Sequence, residues 1–288
     1  MSIGSQRSAL PYFLLAPTLV FLLVFFILPL FQVIGLAFRS GDSVFTTQYF
    51  HRMFDDIYFE SAVVNTLKIA AIIIPIQLVV AFLSALIINT RFRGSTVFLY
   101  IYAIPLGISE LAAGLIWLSI FTQRGYLNSI LQNLGVLKEP VVYLSHQSPQ
   151  WIMTAIVLTE TWRATPLVMI ILLAGLQMIA KDYLEAADIF GAGLWQKVRL
   201  IIFPLLKPSI QSALIIRTLL AFQVFGPIVV LAGRLLPVMA SESYFWYTLI
   251  RNEHVAAAYA LLLMVISIIA TWSYLVLLRT RDEQVGVL

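Results

Sequence analysis

Four charged residues fall inside long apolar stretches of this chain: Glu110, Glu160, Arg163 and Arg217. A carboxylate accepts hydrogen bonds, and a guanidinium donates through a rigid planar fork. Together such groups can hold a hydroxyl-rich or anionic small molecule, or pair with one another. An ionised side chain at the centre of a bilayer costs about 2.5–3.5 kcal/mol on insertion scales. It therefore faces a bundle interior, a water-filled cavity or a partner charge. Glu160, Arg163, Ala164 and Leu167 are spaced i, i+3, i+4, i+7 and share one helix face. Arg217, Leu220, Ala221 and Val224 repeat that spacing on a second helix. Two readings follow. In one, a mid-membrane cavity lies between these helices, Arg163 and Arg217 donate to solute oxygens, and Glu160 accepts from hydroxyls or orients an arginine. Trp162 and Gln223 are then secondary lining residues. In the other, a buried Glu160–Arg163 or Glu160–Arg217 pair only holds the bundle together. Glu110 suits a gate, a packing contact or a substrate contact. Lys68 lies near a helix end and is expected to snorkel to the surface.

Other chemistries lack their residues. The 288-residue chain has no cysteine, which excludes disulfides, thiolate metal sites and a cysteine nucleophile. Its three histidines, His51, His146 and His254, are far apart, so no metal site is expected. A Gly-x-x-x-x-Gly-Lys-Ser/Thr phosphate loop is absent, so the chain is not an ATPase and binds no nucleotide by that route. No catalytic Ser/His arrangement is evident, and no enzyme activity is expected. The net charge of +4 is spread between apolar blocks rather than gathered into a patch, so nucleic acid is not an expected partner.

The elements that must position the four charges are membrane spans. The chain is 61% hydrophobic and 11% charged, where a soluble domain has about a quarter charged residues. Apolar runs of about 20 residues suffice to cross a bilayer as a helix. Six are predicted, at 12–38, 63–88, 96–121, 151–179, 209–231 and 256–278, giving an all-α, multi-pass membrane protein. The first is too long for a signal-peptide core and no small-x-small cleavage site follows it, so it is expected to be retained. With the N-terminus inside, nine Lys and Arg fall in inner segments and six in outer ones. The short link Arg91–Gly94 shows the bias most clearly. Both termini are therefore expected to be cytoplasmic. Pro29, Pro75, Pro105 and Pro166 are expected to kink their spans. No repeat or soluble domain is visible, so residues 1–288 are read as one transmembrane domain, with 180–208 as its longest cytoplasmic loop.

That loop is more than a connector. Lys181–Asp188 has good helix formers and a charged face. Gly191-Ala192-Gly193 supplies a turn, and 194–203 alternates apolar and basic residues. Two short helices meeting at a glycine are predicted, with Pro204 and Pro208 at the start of the fifth span. Glu185-Ala186-Ala187, three residues, Gly191, nine residues, Ile201, one residue, then Phe203-Pro204 resembles the EAA motif of binding-protein-dependent ABC importer permeases. The chain departs from the usual pattern at Phe203, where leucine is common, and at Phe190, where aspartate often precedes the glycine. Further segments resemble the carbohydrate-importer permeases related to the large permease subunit of the maltose transporter. They are Gln48-Tyr49, Asp56, Phe59 and Asn65-Thr66-Leu67; Gly125, Asn128, Leu131 and Gly135; and Trp162, Pro166 and Ala174-Gly175-Leu176-Gln177. The Gly-Gly-Pro signature of many members is replaced by Ala232-Gly233-Arg234-Leu235-Leu236-Pro237.

The resemblance implies a type I ABC importer permease fold in the cell (inner) membrane. It implies that Glu185, Ala186, Ala187, Asp188, Gly191, Ile201, Phe203 and Pro204 form a coupling helix that docks in a cytoplasmic ATPase. Two ATPase subunits would bind ATP and Mg2+, a second homologous permease would complete a heterodimer, and an external solute-binding protein would deliver the solute. By their distance from the EAA segment, Glu160, Arg163 and Arg217 resemble sugar-contacting positions. A sugar or sugar-like solute is the first expectation. Glycerol 3-phosphate or another polyol or anionic solute is the alternative, and a scaffold or simple channel is the rival of a different class.

Overall fold

A computed structural model describes residues 10–40 and 44–277. Nearly all of it is helix: α1 (Leu10–Leu22), α2 (Leu28–Phe38), α3 (Gln48–Phe54), α4 (Phe59–Asn89), α5 (Ser95–Ala103), α6 (Glu110–Phe121), α7 (Tyr126–Asn133), α8 (Pro149–Met178), α9 (Lys181–Ile189), α10 (Leu194–Lys197), α11 (Phe203–Phe222), α12 (Gly226–Leu231), α13 (Met239–Thr248) and α14 (Glu253–Leu277). Among the described residues the β pairing is a single antiparallel bridge between Arg39 and Phe45. Five helical stretches among the described residues are long and apolar enough to span a bilayer: Phe13–Phe38, Phe59–Asn89, Pro149–Met178, Leu194–Leu231 and Glu253–Leu277. A sixth span exists if the bent pair Ser95–Gly107 and Glu110–Asn133 is counted as one. The protein is a multi-pass, all-α membrane protein.

Three spans differ from straight helices at the expected boundaries, each through proline or glycine. The third bends by 100° between Gly107 and Glu110. Pro105, which has no N–H to donate, lies in a 3₁₀ turn over Ile104–Gly107. Ser109 then starts α6 afresh, its hydroxyl accepting from the Ala112 amide at 3.2 Å. The fifth span ends at Phe222 and resumes as α12 at Gly226-Pro227, because a helix seldom continues into the residue before a proline. Val224 therefore lies past the end of α11, and its expected i+7 place on the Arg217 helix face is corrected. The same helix begins earlier than predicted. The second amphipathic stretch is not a separate helix but the first turns of one continuous rod from Leu194. A π turn over Val198–Ile202, with the Phe203 amide bonding back five residues to Val198, sits directly before Pro204. The wider turn draws backbone away from the proline ring, which would otherwise collide with the carbonyl four residues back. The same device precedes Pro29, where Leu23–Ile27 is a π turn. Pro75 and Pro166 lie inside unbroken helices.

The chain forms two compact units. One comprises the described residues up to Asp56 with Ser243–Leu262, and the other Ile57–Glu242 with the described residues from Leu263. In the first, Asp56 accepts from Trp246 Nε1 at 2.7 Å and Tyr259 Oη at 2.9 Å. His254 stacks on Tyr49. In the second, α4, α8 and α11 pack along their lengths. One end of their core gathers Ile69, Ile73, Ile152, Ile156 and Ile228. The other gathers Ala81, Ala85, Met169, Leu172, Leu206 and Ala213. Small residues allow this approach, as is usual between membrane helices. A Cβ on Gly175 would overlap Ser209 and Leu206, so α8 and α11 meet at that glycine. Several family-like residues hold turns: Asn128 bonds both backbone groups of Val141, at 2.8 and 3.0 Å, and Asn65 donates to the Pro237 carbonyl at 3.0 Å.

Candidate functional site

The four intramembrane charges converge in the second unit, on one chain of contacts. Glu160, in mid-α8, is fully buried and accepts from both neighbouring arginines. Arg163 Nε meets its Oε1 at 3.0 Å and Arg163 Nη2 its Oε2 at 3.1 Å, the fork geometry that i, i+3 spacing permits. Arg217 Nη2 reaches the same Oε2 at 3.0 Å from α11. Arg163 Nη2 also reaches Glu110 Oε1 at 3.0 Å. The second Glu110 oxygen accepts from the Gly226 amide at 3.2 Å, with the Phe225 amide at 3.4 Å. Glu110 opens α6 and thus ties together the two points where spans are broken. Close approach is required there: a Cβ on Gly226 would lie 2.7 Å from the Glu110 carbonyl carbon.

Gln77 of α4 is the participant that sequence reasoning missed. Its Nε2 donates to the Glu160 carbonyl at 2.7 Å, and its Oε1 accepts from Arg217 Nε. Its only signal in the sequence is an amide in the apolar run Ile76-Gln77-Leu78, which has no periodicity to mark it. Arg217 is 1% exposed, and its Nη1 has no partner among the described residues. Beside it Ile74, Leu78, Val168, Ala213 and Leu214 form an apolar wall. Two carboxylates face two guanidiniums, so the cluster is neutral as a whole. It opens to the surface at one end, where the Glu110 side chain is 31% exposed and that of Arg163 14%.

The other expected lining residues fall outside this chain of contacts. Ala164 is buried and Leu167 half-buried beside it in α8. Trp162 packs edge-on against Trp117. Ala221 joins an apolar cluster with Ala70, Ile74 and Phe222. Val224 joins the core around Ile156 and Ile228. Leu220 and Gln223 are exposed.

The EAA-like segment is a second candidate surface. Helix α9 ends in a Schellman turn: Ala192 N–H bonds Ala187 O at 2.9 Å and Gly191 N–H bonds Asp188 O at 3.0 Å, with Gly191 at φ +72°. Asp188 pairs with Lys197 across the turn. Gln196 Oε1 accepts from the Gly193 amide at 2.8 Å, capping the next helix. Ala187 is buried, Ile201 and Pro204 are half-buried, and Glu185, Ala186 and Phe203 are exposed. Around the turn Ile189 is 85%, Phe190 90% and Trp195 72% exposed, an apolar crest at the end of a charged helix.

Residues 77–282 match the family model described as "Binding-protein-dependent transport system inner membrane component". The chain is 33% identical over 185 residues to the trehalose transport system permease protein SugA of Mycobacterium tuberculosis; the match spans 64% of this chain and 58% of SugA. It is 32% identical over 235 residues to the trehalose/maltose transport system permease protein MalF of Thermococcus litoralis, covering 79% of this chain and 78% of that protein. The fold is that of a chain in a bacterial ABC transporter involved in import of the acidic polysaccharide alginate, with TM-score 0.81, 21% identity, and coverage of 95% and 96%. With most of its length matched by the family model, its spans and its EAA-like turn in keeping, this chain belongs to the binding-protein-dependent transport family of inner membrane components, the permeases of ABC importers.

Proposed function

We propose that this permease forms half of the translocation pathway for a sugar or sugar-like solute, with ATP hydrolysed by separate subunits. The observation that carries the energy-coupling part is the crest of Ile189, Phe190 and Trp195 beside Glu185, on a turn stiffened by the Gly191 cap. Exposed aromatic and aliphatic side chains on a short, capped, charged helix suit a groove in a partner. In this reading two ATPase subunits, which bind ATP and Mg2+, receive the turn on the cytoplasmic side, and both termini lie on that side of the cell membrane. A second, homologous permease completes a heterodimer, and an external binding protein delivers solute; a solved relative of this fold is an alginate ABC transporter in complex with a pentasaccharide-bound periplasmic protein. Closure of the ATPase pair moves the α9 turn. The rigid rod that begins at Leu194 carries the motion to Arg217, and the helices rock between inward and outward openings.

Sugar specificity rests on the named relatives and on the neutral balance of the cluster. Glu110 and Glu160 offset Arg163 and Arg217, which leaves no surplus positive charge to select an anion such as glycerol 3-phosphate. Glu160, Arg163 and Arg217, with Ala164, Leu167, Leu220 and Ala221 on the same two helices and Glu110, Trp162 and Gln223 as secondary candidates, are the proposed pathway. The test is transport by the complex in proteoliposomes. Uptake of a labelled disaccharide should require ATP and the binding protein, and should fall in Arg217→Leu. Flux without ATP would indicate a channel, and intact uptake in Arg217→Leu would leave Arg217 outside the pathway.

A further inference from the structure

We propose that Gln77 of α4 is a positioning residue that sets the class of solute: by holding the guanidinium of Arg217 it keeps the buried cluster selective for neutral, hydroxyl-rich molecules over anions. The proposal rests on the reading of that cluster as the solute pathway. Gln77 is fully buried in mid-span, within the second unit. Its amide touches two further helices. Nε2 donates to the Glu160 carbonyl of α8 at 2.7 Å, and Oε1 accepts from Arg217 Nε of α11. One orientation of the amide satisfies both contacts. Turned over, it would set an NH2 against an N–H and an oxygen against a carbonyl. Pro166 takes the helical donor from the Trp162 carbonyl, not from that of Glu160. The bond to Glu160 therefore repairs no gap in α8, and its effect is to aim Oε1 at the arginine.

A guanidinium recognises a carboxylate or phosphate through two nitrogens acting as a fork. Nε and Nη2 of Arg217 are both spent inside the protein, Nε on Gln77 and Nη2 on Glu160 Oε2 at 3.0 Å. Arg163 is committed in the same way, with Nε and Nη2 on the two oxygens of Glu160. The two commitments differ in strength. Both contacts of the Arg163 fork are to a carboxylate, whereas half of the Arg217 fork rests on a neutral amide, the weaker kind of partner. Arg217 Nη1 has no partner among the described residues, and Ile74, Leu78 and Val168 offer it none. A guanidinium released from Gln77 would thus be pinned at Glu160 alone. It could turn about that contact and present two nitrogens to a solute carboxylate. A hydroxyl-rich solute uses single donors and acceptors and gains nothing from the released fork.

The test is equilibrium binding of glucose and glucuronate, one ring without and with a carboxylate. Both are measured by saturation-transfer NMR on the transporter with its co-purifying subunits in phosphatidylcholine nanodiscs. The unaltered protein should favour glucose. Gln77→Leu removes the acceptor without changing the net charge, so the ratio of glucuronate to glucose affinity should rise about tenfold, the effect of one hydrogen bond to a charged group. Gln77→Asn keeps a polar amide but is one methylene too short to reach both partners. It should shift the ratio the same way, and it carries the test if the leucine variant does not fold. Gln77→Glu returns an oxygen to Arg217 Nε and should bring the ratio back to its starting value or below. A residue that merely ties helices together would weaken both sugars alike, so an unchanged ratio in the leucine and asparagine variants overturns the role of Gln77 and leaves the pathway standing. A raised ratio in Gln77→Glu overturns it as well. Binding of neither sugar to the unaltered protein would instead remove the pathway reading, and this proposal with it.

Discussion

Glu160 holds the buried charges in place. It is fully buried and accepts from two arginines, while its own backbone carbonyl receives Gln77. Removing the carboxylate strands Arg217 against Ile74 and Leu78 with only Gln77 to face it. Breaking one side of a buried pair costs about 3–5 kcal/mol, so Glu160→Ala should lower the thermal unfolding midpoint of the detergent-purified protein sharply. Glu160→Gln keeps one oxygen as acceptor and should cost clearly less. Arg163→Lys tests the fork. A lysine has charge but no planar guanidinium to bond Glu160 through two nitrogens while also holding Glu110. It should fold, yet separate the α6 end from the cluster, seen as faster hydrogen exchange at the Gly226 amide. The sequence disclosed Glu160 and Arg163 as a pair because i, i+3 spacing needs only a helix. The reach of Arg217 to Glu160 needed the packing of α8 on α11, and Gln77 needed α4 beside both. A lone amide acquires a role only once its neighbours in space are known.

Among the elements, two glycines separate two kinds of constraint. Gly191 has φ +72° and open space around its Cβ position, whereas Gly175 has ordinary helical backbone and no space at all. Gly191→Ala should cost about 1–2 kcal/mol, the penalty for a left-handed L-residue, and should loosen the α9 turn without disturbing the bundle. Gly175→Val must push α8 from α11 and should cost about 1–3 kcal/mol or more through overpacking, with lost folded yield. Thermal unfolding of the two purified variants ranks them, and equal effects would count against this division. The two constraints were not equally visible in the sequence. The EAA-like spacing made a bend at Gly191 predictable, because turn chemistry is local. The contact at Gly175, like the break at 223–225 and the π turns before Pro29 and Pro204, follows from how a proline or a neighbouring helix is accommodated. A proline signals that a hydrogen bond is lost, and the surroundings decide whether a kink, a wide turn or a clean break results. The spans themselves were legible within a few residues at most ends, since apolar length is all that a bilayer demands.

For the whole molecule, the proposed orientation links the charge pattern to the energy source. The bias of Lys and Arg toward one side and the exposed crest after α9 are independent features, and the proposal requires both to lie on the cytoplasmic face. The absence of cysteine makes this directly measurable, because any cysteine introduced is the only one to react. Ile189 is 85% exposed on the crest, and Leu249 is 69% exposed in the segment between the fifth and sixth spans. Both are apolar surface positions where cysteine removes no buried contact, so neither variant should unfold. In intact cells a membrane-impermeant maleimide should label Leu249→Cys and spare Ile189→Cys. After the membrane is opened, Ile189→Cys should react as well. If ATPase subunits occupy the crest, that second reaction should be slowed in the assembled complex and regained when Glu185→Lys weakens the docking. The reverse pattern in intact cells would place the EAA-like turn outside and remove its route to ATP. Equal reactivity of Ile189→Cys with and without co-purified subunits would keep the topology and reject the crest as the contact.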